Sequence, residues 1–270
     1  MEQAPPTDRR QASDTLRYGA RSQSRPIMSE PAIRFAGVTK NYGRAKVLHD
    51  ISFEIPRGAF FGLVGINGAG KTTLLKCLLD FCTFESGTIE LFGMAHNAPG
   101  ARARLAFLPE RLNPPYYLTG ADFLRYTLEM QAMQYEPDAA AHMLEALDLD
   151  TSALTRPVRS YSKGMTQKIG LAAQLLADKE LYLFDEPTSG LDPKARALFK
   201  RQLQTLKQCS RTLLFTSHAL ADVAEVCDHM AVMHAGELRF CGTPQSLCEQ
   251  FGEVALEAAF LRCIDGPVAS

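Results

Sequence analysis

FFGLVGINGAGKTT, residues 60–73, changes character halfway along. Its first five residues are apolar without alternation, as in a strand covered on both faces. The run then breaks into Gly65-x-x-x-x-Gly70-Lys71-Thr72 and passes into TTLLKCLLDF, which has helical spacing. Glycines let a backbone turn tightly with its N–H groups pointing inward, and a helix N-terminus adds partial positive charge. A strand, a glycine-rich turn and a helix in that order wrap a chain of phosphates. Gly65, Ile66, Asn67, Gly68, Ala69, Gly70, Lys71, Thr72 and Thr73 are therefore expected to cradle phosphate groups. Lys71 would reach the β- and γ-phosphates, and Thr72 would hold a magnesium ion.

A second apolar run, LYLFDEPT at 181–188, stops on two adjacent carboxylates, Asp185 and Glu186. Carboxylates near the interior need a positive or proton-donating partner. A magnesium ion on the phosphates supplies one for Asp185. Glu186, one residue on, faces elsewhere and is free to orient and deprotonate a water that attacks the γ-phosphate. The other apolar runs end in the same way. Gly65 follows 59–64, Glu110 follows 105–108, and His218 follows 212–216. Ligands of open parallel sheets bind at the carboxyl ends of the strands, so these strand ends converge on one nucleotide and His218 is expected to meet its γ-phosphate.

The remaining texture places this core. Over 33–58 the apolar residues alternate, Ile51, Phe53 and Ile55 with Ser52 and Glu54, as in half-buried antiparallel strands. From 59 onward, buried strands separated by helical stretches predict a parallel sheet covered by helices. Residues 121–156 have no strand signal. Phe123, Leu124 and Leu128, then Ala139, Met143, Leu144 and Leu147 after Pro137, predict a helical insert. AVMHAGELRF predicts a hairpin turning at Gly236, followed by a short helical tail.

Composition sets the bounds. The chain has 270 residues, 46% apolar and 22% charged, with 29 basic against 30 acidic side chains. Such a balance supplies no basic field, and no nucleic-acid partner is expected. The seven cysteines are scattered without metal-site spacing and are expected to be reduced thiols in a cytoplasmic protein. No apolar stretch approaches the roughly 20 residues of a membrane-spanning helix. Residues 1–27 have arginines and prolines but no apolar segment, which predicts disorder, and Met28 is expected to be the natural start.

With these motifs placed, the chain from about 30 to 245 resembles the ATP-binding cassette ATPases. The resemblance implies an α/β fold: a P-loop NTPase (RecA-like) parallel-sheet core with an N-terminal antiparallel β subdomain and a helical subdomain near 111–165, in an ATPase domain over 28–245 with a tail at 246–270. Tyr42 stands where the family stacks an aromatic ring on adenine, and Ser189-Gly190-Leu191-Asp192 matches the loop after the catalytic glutamate, bringing Asp192 to the nucleotide. YSKGM at 161–165 stands at the signature, usually Leu-Ser-Gly-Gly-Gln, keeping Ser162 and Gly164. In the family these residues close over the ATP of a second cassette packed head to tail. A homodimer is the simplest expectation, and a related cassette the other.

The chain departs from the family at Lys163, at Met165 and at Glu110, where a glutamine usually senses magnesium; Glu110 is then a candidate metal ligand beside Thr72 and Asp185. The resemblance implies a Mg-dependent ATPase using ATP and Mg2+, with Glu186, His218 and Lys71 in catalysis. It would be peripheral on the cytoplasmic face of the inner or plasma membrane and would power export by a separate integral membrane permease. The permease is expected to dock at ERLNPPYYL, residues 110–118, and the adjoining helices. Two alternatives are a nucleotide-gated regulatory subunit with low turnover and a soluble ATPase acting on ribosomes or DNA.

Overall fold

The computed structural model describes residues 30–266. The expected disorder of 1–27 and the start at Met28 lie outside them. Strands β1 (Ile33–Tyr42) and β2 (Ala45–Ile55) pair antiparallel. The chain then enters the buried strand β3 (Phe60–Val64) and, after the glycine-rich turn, helix α1 (Lys71–Leu78). From α1 it returns to the first sheet as β4 (Ser86–Leu91) and the short β5 (Met94–Ala95), giving the antiparallel order β2-β1-β4-β5. This return was not expected. SGTIEL buries only Ile89 and Leu91, too few to show an alternation, so its pairing with β1 is visible only in three dimensions.

The second sheet holds β3, β6 (Leu105–Leu108), β7 (Leu181–Asp185), β8 (Thr212–Ser217), β9 (His229–His234) and β10 (Glu237–Gly242). Its order is β10-β9-β3-β8-β7-β6, parallel from β9 to β6, with β10 antiparallel at the edge. Strand side chains alternate between two cores. Phe61, Leu63, Leu181, Leu183 and Leu214 pack with α1 and the antiparallel sheet. Phe60, Val64, Tyr182, Phe184 and Phe215 pack on the opposite face, against helices. The parallel sheet is thus the middle layer, which is why its strands show no polar alternation.

The short α2 (Pro99–Arg102) precedes β6. Between β6 and β7 lie α3 (Gly120–Met130), α4 (Pro137–Ala146), two 3-10 turns and α5 (Lys163–Leu176). A reciprocal cap starts α3: Asp122 N–H donates to Thr119 Oγ1, and Thr119 N–H to Asp122 Oδ2. Pro137 opens α4 as expected, but Ala140 rather than Ala139 turns to the core. The remaining helices are α6 (Pro193–Gln208), α7 (Leu220–Val226), α8 (Pro244–Phe251) and α9 (Leu256–Asp265).

Two close approaches position the site. The β9–β10 hairpin turns through Ala235 (φ 48°) and Gly236 (φ 80°). Gly236 N–H donates to Ala69 O at 3.1 Å and Gly236 O accepts from His49 N–H at 2.8 Å, so the turn clamps the phosphate loop to β2. A Cβ at Gly236 would stand 2.4 Å from Val47 O. At Gly62, in β3, a Cβ would stand 2.7 Å from Val223 Cγ1, because α7 lies directly on the strand. Gly62→Ala is expected to push α7 outward and cost about 1–3 kcal/mol, measured by denaturant unfolding.

Candidate nucleotide site

The turn from β3 to α1 folds around its own backbone. Gly70 caps α1 at φ 104°, a conformation that β-carbons resist, and Ala69 N–H closes on Ile66 O at 3.1 Å. Lys71 is buried, and its ammonium donates to Gly65 O at 2.6 Å and Ile66 O at 3.4 Å, arching across the loop. Burial lowers the Lys71 pKa, opposed by the carboxylates of Glu186, Asp185 and Glu110. Three acids therefore surround one ammonium.

Strands β7 and β8, adjacent in the sheet, deliver the acids and the histidine. Asp185, at the end of β7, is 4% exposed. Its Oδ1 accepts from Thr216 Oγ1 at 2.6 Å and its Oδ2 from Thr72 Oγ1 at 3.3 Å. Burial raises the Asp185 pKa, the two threonine hydroxyls pull it down, and the charges of Glu110 and Glu186 push it up. Glu186 follows at φ 50°, in the left-handed region, and its carboxylate meets His218 rather than the threonines that hold Asp185. His218, after β8, places Nδ1 2.8 Å from Glu186 Oε2. Thr216, fully buried in β8, serves both acids, because its hydroxyl donates to Asp185 and accepts from Glu186 N–H at 2.9 Å.

A cavity of about 330 Å³ opens above these groups, lined by Val47, residues 67–73, Glu110, Glu186, Ser189 and His218. Loop, acids and histidine thus meet at one place, as the strand ends implied. Tyr42 does not line it. It ends β1, about half exposed, with Lys40 Nζ 4.9 Å from its ring centroid; a hydrogen bond with Cys82 raises its pKa.

Ser162, Gly164 and Asp192 also stand outside this lining. Ser162 caps α5, its Oγ accepting from Met165 N–H at 3.2 Å, and Asp192 caps α6, its Oδ1 accepting from Ala195 N–H at 2.8 Å. Lys163 reaches from α5 to Ser189 Oγ at 3.3 Å. A second cavity of about 480 Å³, shared by Glu110 and Ser189, lies against Lys163 and the start of α5. Sequence reasoning missed Thr216, and it set Ser189 in the loop after Glu186 without placing it at the site. The one signal for Thr216 was a polar residue interrupting the apolar run TLLF just before His218.

The family model described as ABC transporter matches residues 48–189. An uncharacterized ABC transporter ATP-binding protein of Synechocystis sp. is 37% identical over 77% of this chain, which spans 59% of that relative. YdbJ, an uncharacterized ABC transporter ATP-binding protein of Bacillus subtilis, is 31% identical over 88% of this chain and 79% of its own. Nod factor export ATP-binding protein I of Rhizobium leguminosarum bv. viciae is 36% identical over 83% of this chain and 73% of its own. A solved ATP-binding subunit of an ABC transporter superposes with a TM-score of 0.80 at 27% identity, covering 86% of this chain and 99% of that one. The chain belongs to the ABC transporter family, as an ATP-binding subunit with the family's ATPase fold.

Thr216→Val keeps the volume but leaves the Glu186 N–H and an Asp185 oxygen unpartnered. It is expected to cost about 1–3 kcal/mol in denaturant unfolding and to lower ATP turnover at least tenfold.

Proposed function

We propose that the chain binds ATP with Mg2+ at this cavity and hydrolyses it, and that the motion of a head-to-tail pair of cassettes drives export by a separate integral membrane permease. The convergence of Lys71, Thr72, Asp185, Glu186 and His218 on the mouth of one phosphate-binding loop carries the reading. The protein's donors beside the loop are the Thr72 hydroxyl and the Asp185 carboxylate, with Glu110 on the wall. All are oxygen, the set that magnesium prefers, and its other ligands would be phosphate and water. When bound, the ion neutralises charge on the phosphates and polarises them.

The chain's own residues have separate tasks. The N–H groups at the start of α1 and the Lys71 ammonium bind the phosphate oxygens. Contacts of the Lys71 ammonium with Gly65 O and Ile66 O hold it over the loop. Glu186, oriented by His218, takes the proton of the attacking water. Ser162 and Gly164 lie off this cavity and are assigned to the nucleotide held by the second cassette, while Tyr42 is assigned to the adenine beyond the phosphate end.

Among the described residues no helix is long and apolar enough to cross a membrane, and the pathway is assigned to the permease. Its docking surface is assigned to residues 110–118, where Tyr116 and Tyr117 are 69% and 71% exposed and pack edge to face. The chain would then lie on the cytoplasmic face of the membrane. Export as the direction is supported by the export name of the Rhizobium relative.

Glu186→Gln is expected to reduce turnover by about 100-fold or more while ATP binding persists, as followed by phosphate release and by nucleotide fluorescence. Crosslinking this variant in native membranes with ATP should recover a multispanning protein joined near 110–118. Recovery of ribosomes, DNA factors or the chain alone would refute the transport part of the reading.

A further inference from the structure

Glu186 and His218 come from different loops, yet the reading above requires them to hold a fixed geometry. Glu186 is nearly buried, but the His218 side chain is 67% exposed and has little packing around it. Its orientation must come from the backbone that carries it, which runs directly into α7. That helix has seven residues and no side-chain N-cap; ahead of it Ser217 Oγ accepts from Ala219 N–H at 2.9 Å, which shapes the turn locally but ties it to no other element.

What ties it by directed bonds to other elements is one acid in its first turn. Asp222 is 6% exposed. Its Oδ2 accepts from Thr188 Oγ1 at 3.0 Å, two residues beyond Glu186, and its Oδ1 lies 2.8 Å from Lys200 Nζ in α6. Lys200 also meets Glu225 of α7 at 2.5 Å. One carboxylate therefore ties the loop after β7, the helix α6 and the histidine helix α7 together. The other side of the same loop is held by Gln167, whose Nε2 donates to Pro187 O at 2.9 Å.

Burying an acid is costly unless fully partnered, and an apolar residue would pack as well. The attachment of α7 to the sheet is already provided by Val223, completely buried against Gly62. Apolar contact fixes how close α7 sits but not how it is rotated or slid, whereas directed hydrogen bonds do. We propose that the Thr188–Asp222–Lys200 network is a positioning device that sets the distance between His218 and Glu186, with Asp222 at its centre. The proposal rests on the reading of Glu186 and His218 as a working pair. None of its three residues lines the nucleotide cavity.

The test uses Thr188→Val, Asp222→Asn and the conservative Thr188→Ser in the full chain. Thr188→Val and Asp222→Asn are expected to lower kcat at least tenfold with the KM for ATP within twofold of wild type, and Thr188→Ser to restore kcat to within twofold. A second readout does not depend on turnover. In histidine-labelled protein the 15N shift of His218 Nδ1, assigned with His218→Gln, should move in Thr188→Val in the direction that it moves in Glu186→Gln. An unchanged His218 shift, a kcat within twofold of wild type, or a KM that rises in step with the fall of kcat would overturn the proposal. Should Thr188→Val fail to fold, Lys200→Gln replaces it under the same criteria. Wild-type protein that hydrolyses no ATP would refute the proposed function, and the His218 shift would still decide the positioning network.

Discussion

The cost of holding negative charge out of water organises this molecule. Asp185, Glu186 and Glu110 are gathered at the carboxyl edge of a parallel sheet around a single buried ammonium, that of Lys71. Burial works against both signs, lowering the lysine pKa and raising that of Asp185. The buried groups are therefore met by directed partners, carbonyls for Lys71, the hydroxyls of Thr72 and Thr216 for Asp185 and the imidazole of His218 for Glu186, while Glu110 is exposed to water. The fold around them makes these partners arrive together. Parallel strands place all their carboxyl ends on one edge, and the order β3-β8-β7-β6 puts the loop, the histidine, the two acids and Glu110 side by side.

The groups at the loop are consequently bonded to one another. Lys71 bonds to its own loop, Thr72 to Asp185 and His218 to Glu186.

Much of this was legible in the sequence because local chemistry spoke for it. The glycine spacing of residues 65–70, the apolar runs ending in polar residues, and the alternation of Ile51, Phe53 and Ile55 are short-range signals, and the structure agrees with each. What was not legible depends on pairing across space. Thr216 looks like one more strand residue until Asp185 and Glu186 are beside it, and Asp222 looks like an ordinary acid in a first helical turn until Thr188 and Lys200 close on it. Strand β4 went unnoticed because its partner β1 lies some way back in the chain, across β2, β3 and α1, and Ala139 was preferred to Ala140 because helix phase near a proline start is loosely specified by a few apolar residues.

The clamp made by Gly236 has a consequence for how the protein comes into being. The phosphate loop lies early in the chain, but the turn that holds Ala69 against β2 is formed by residue 236, and β9, beside β3, also comes late. A nascent chain thus carries its glycine-rich loop for most of its synthesis without the strand and turn that shape it. The loop therefore takes its final shape only when residues far later in the chain have joined the sheet, so the site is completed by the end of the fold rather than by its beginning.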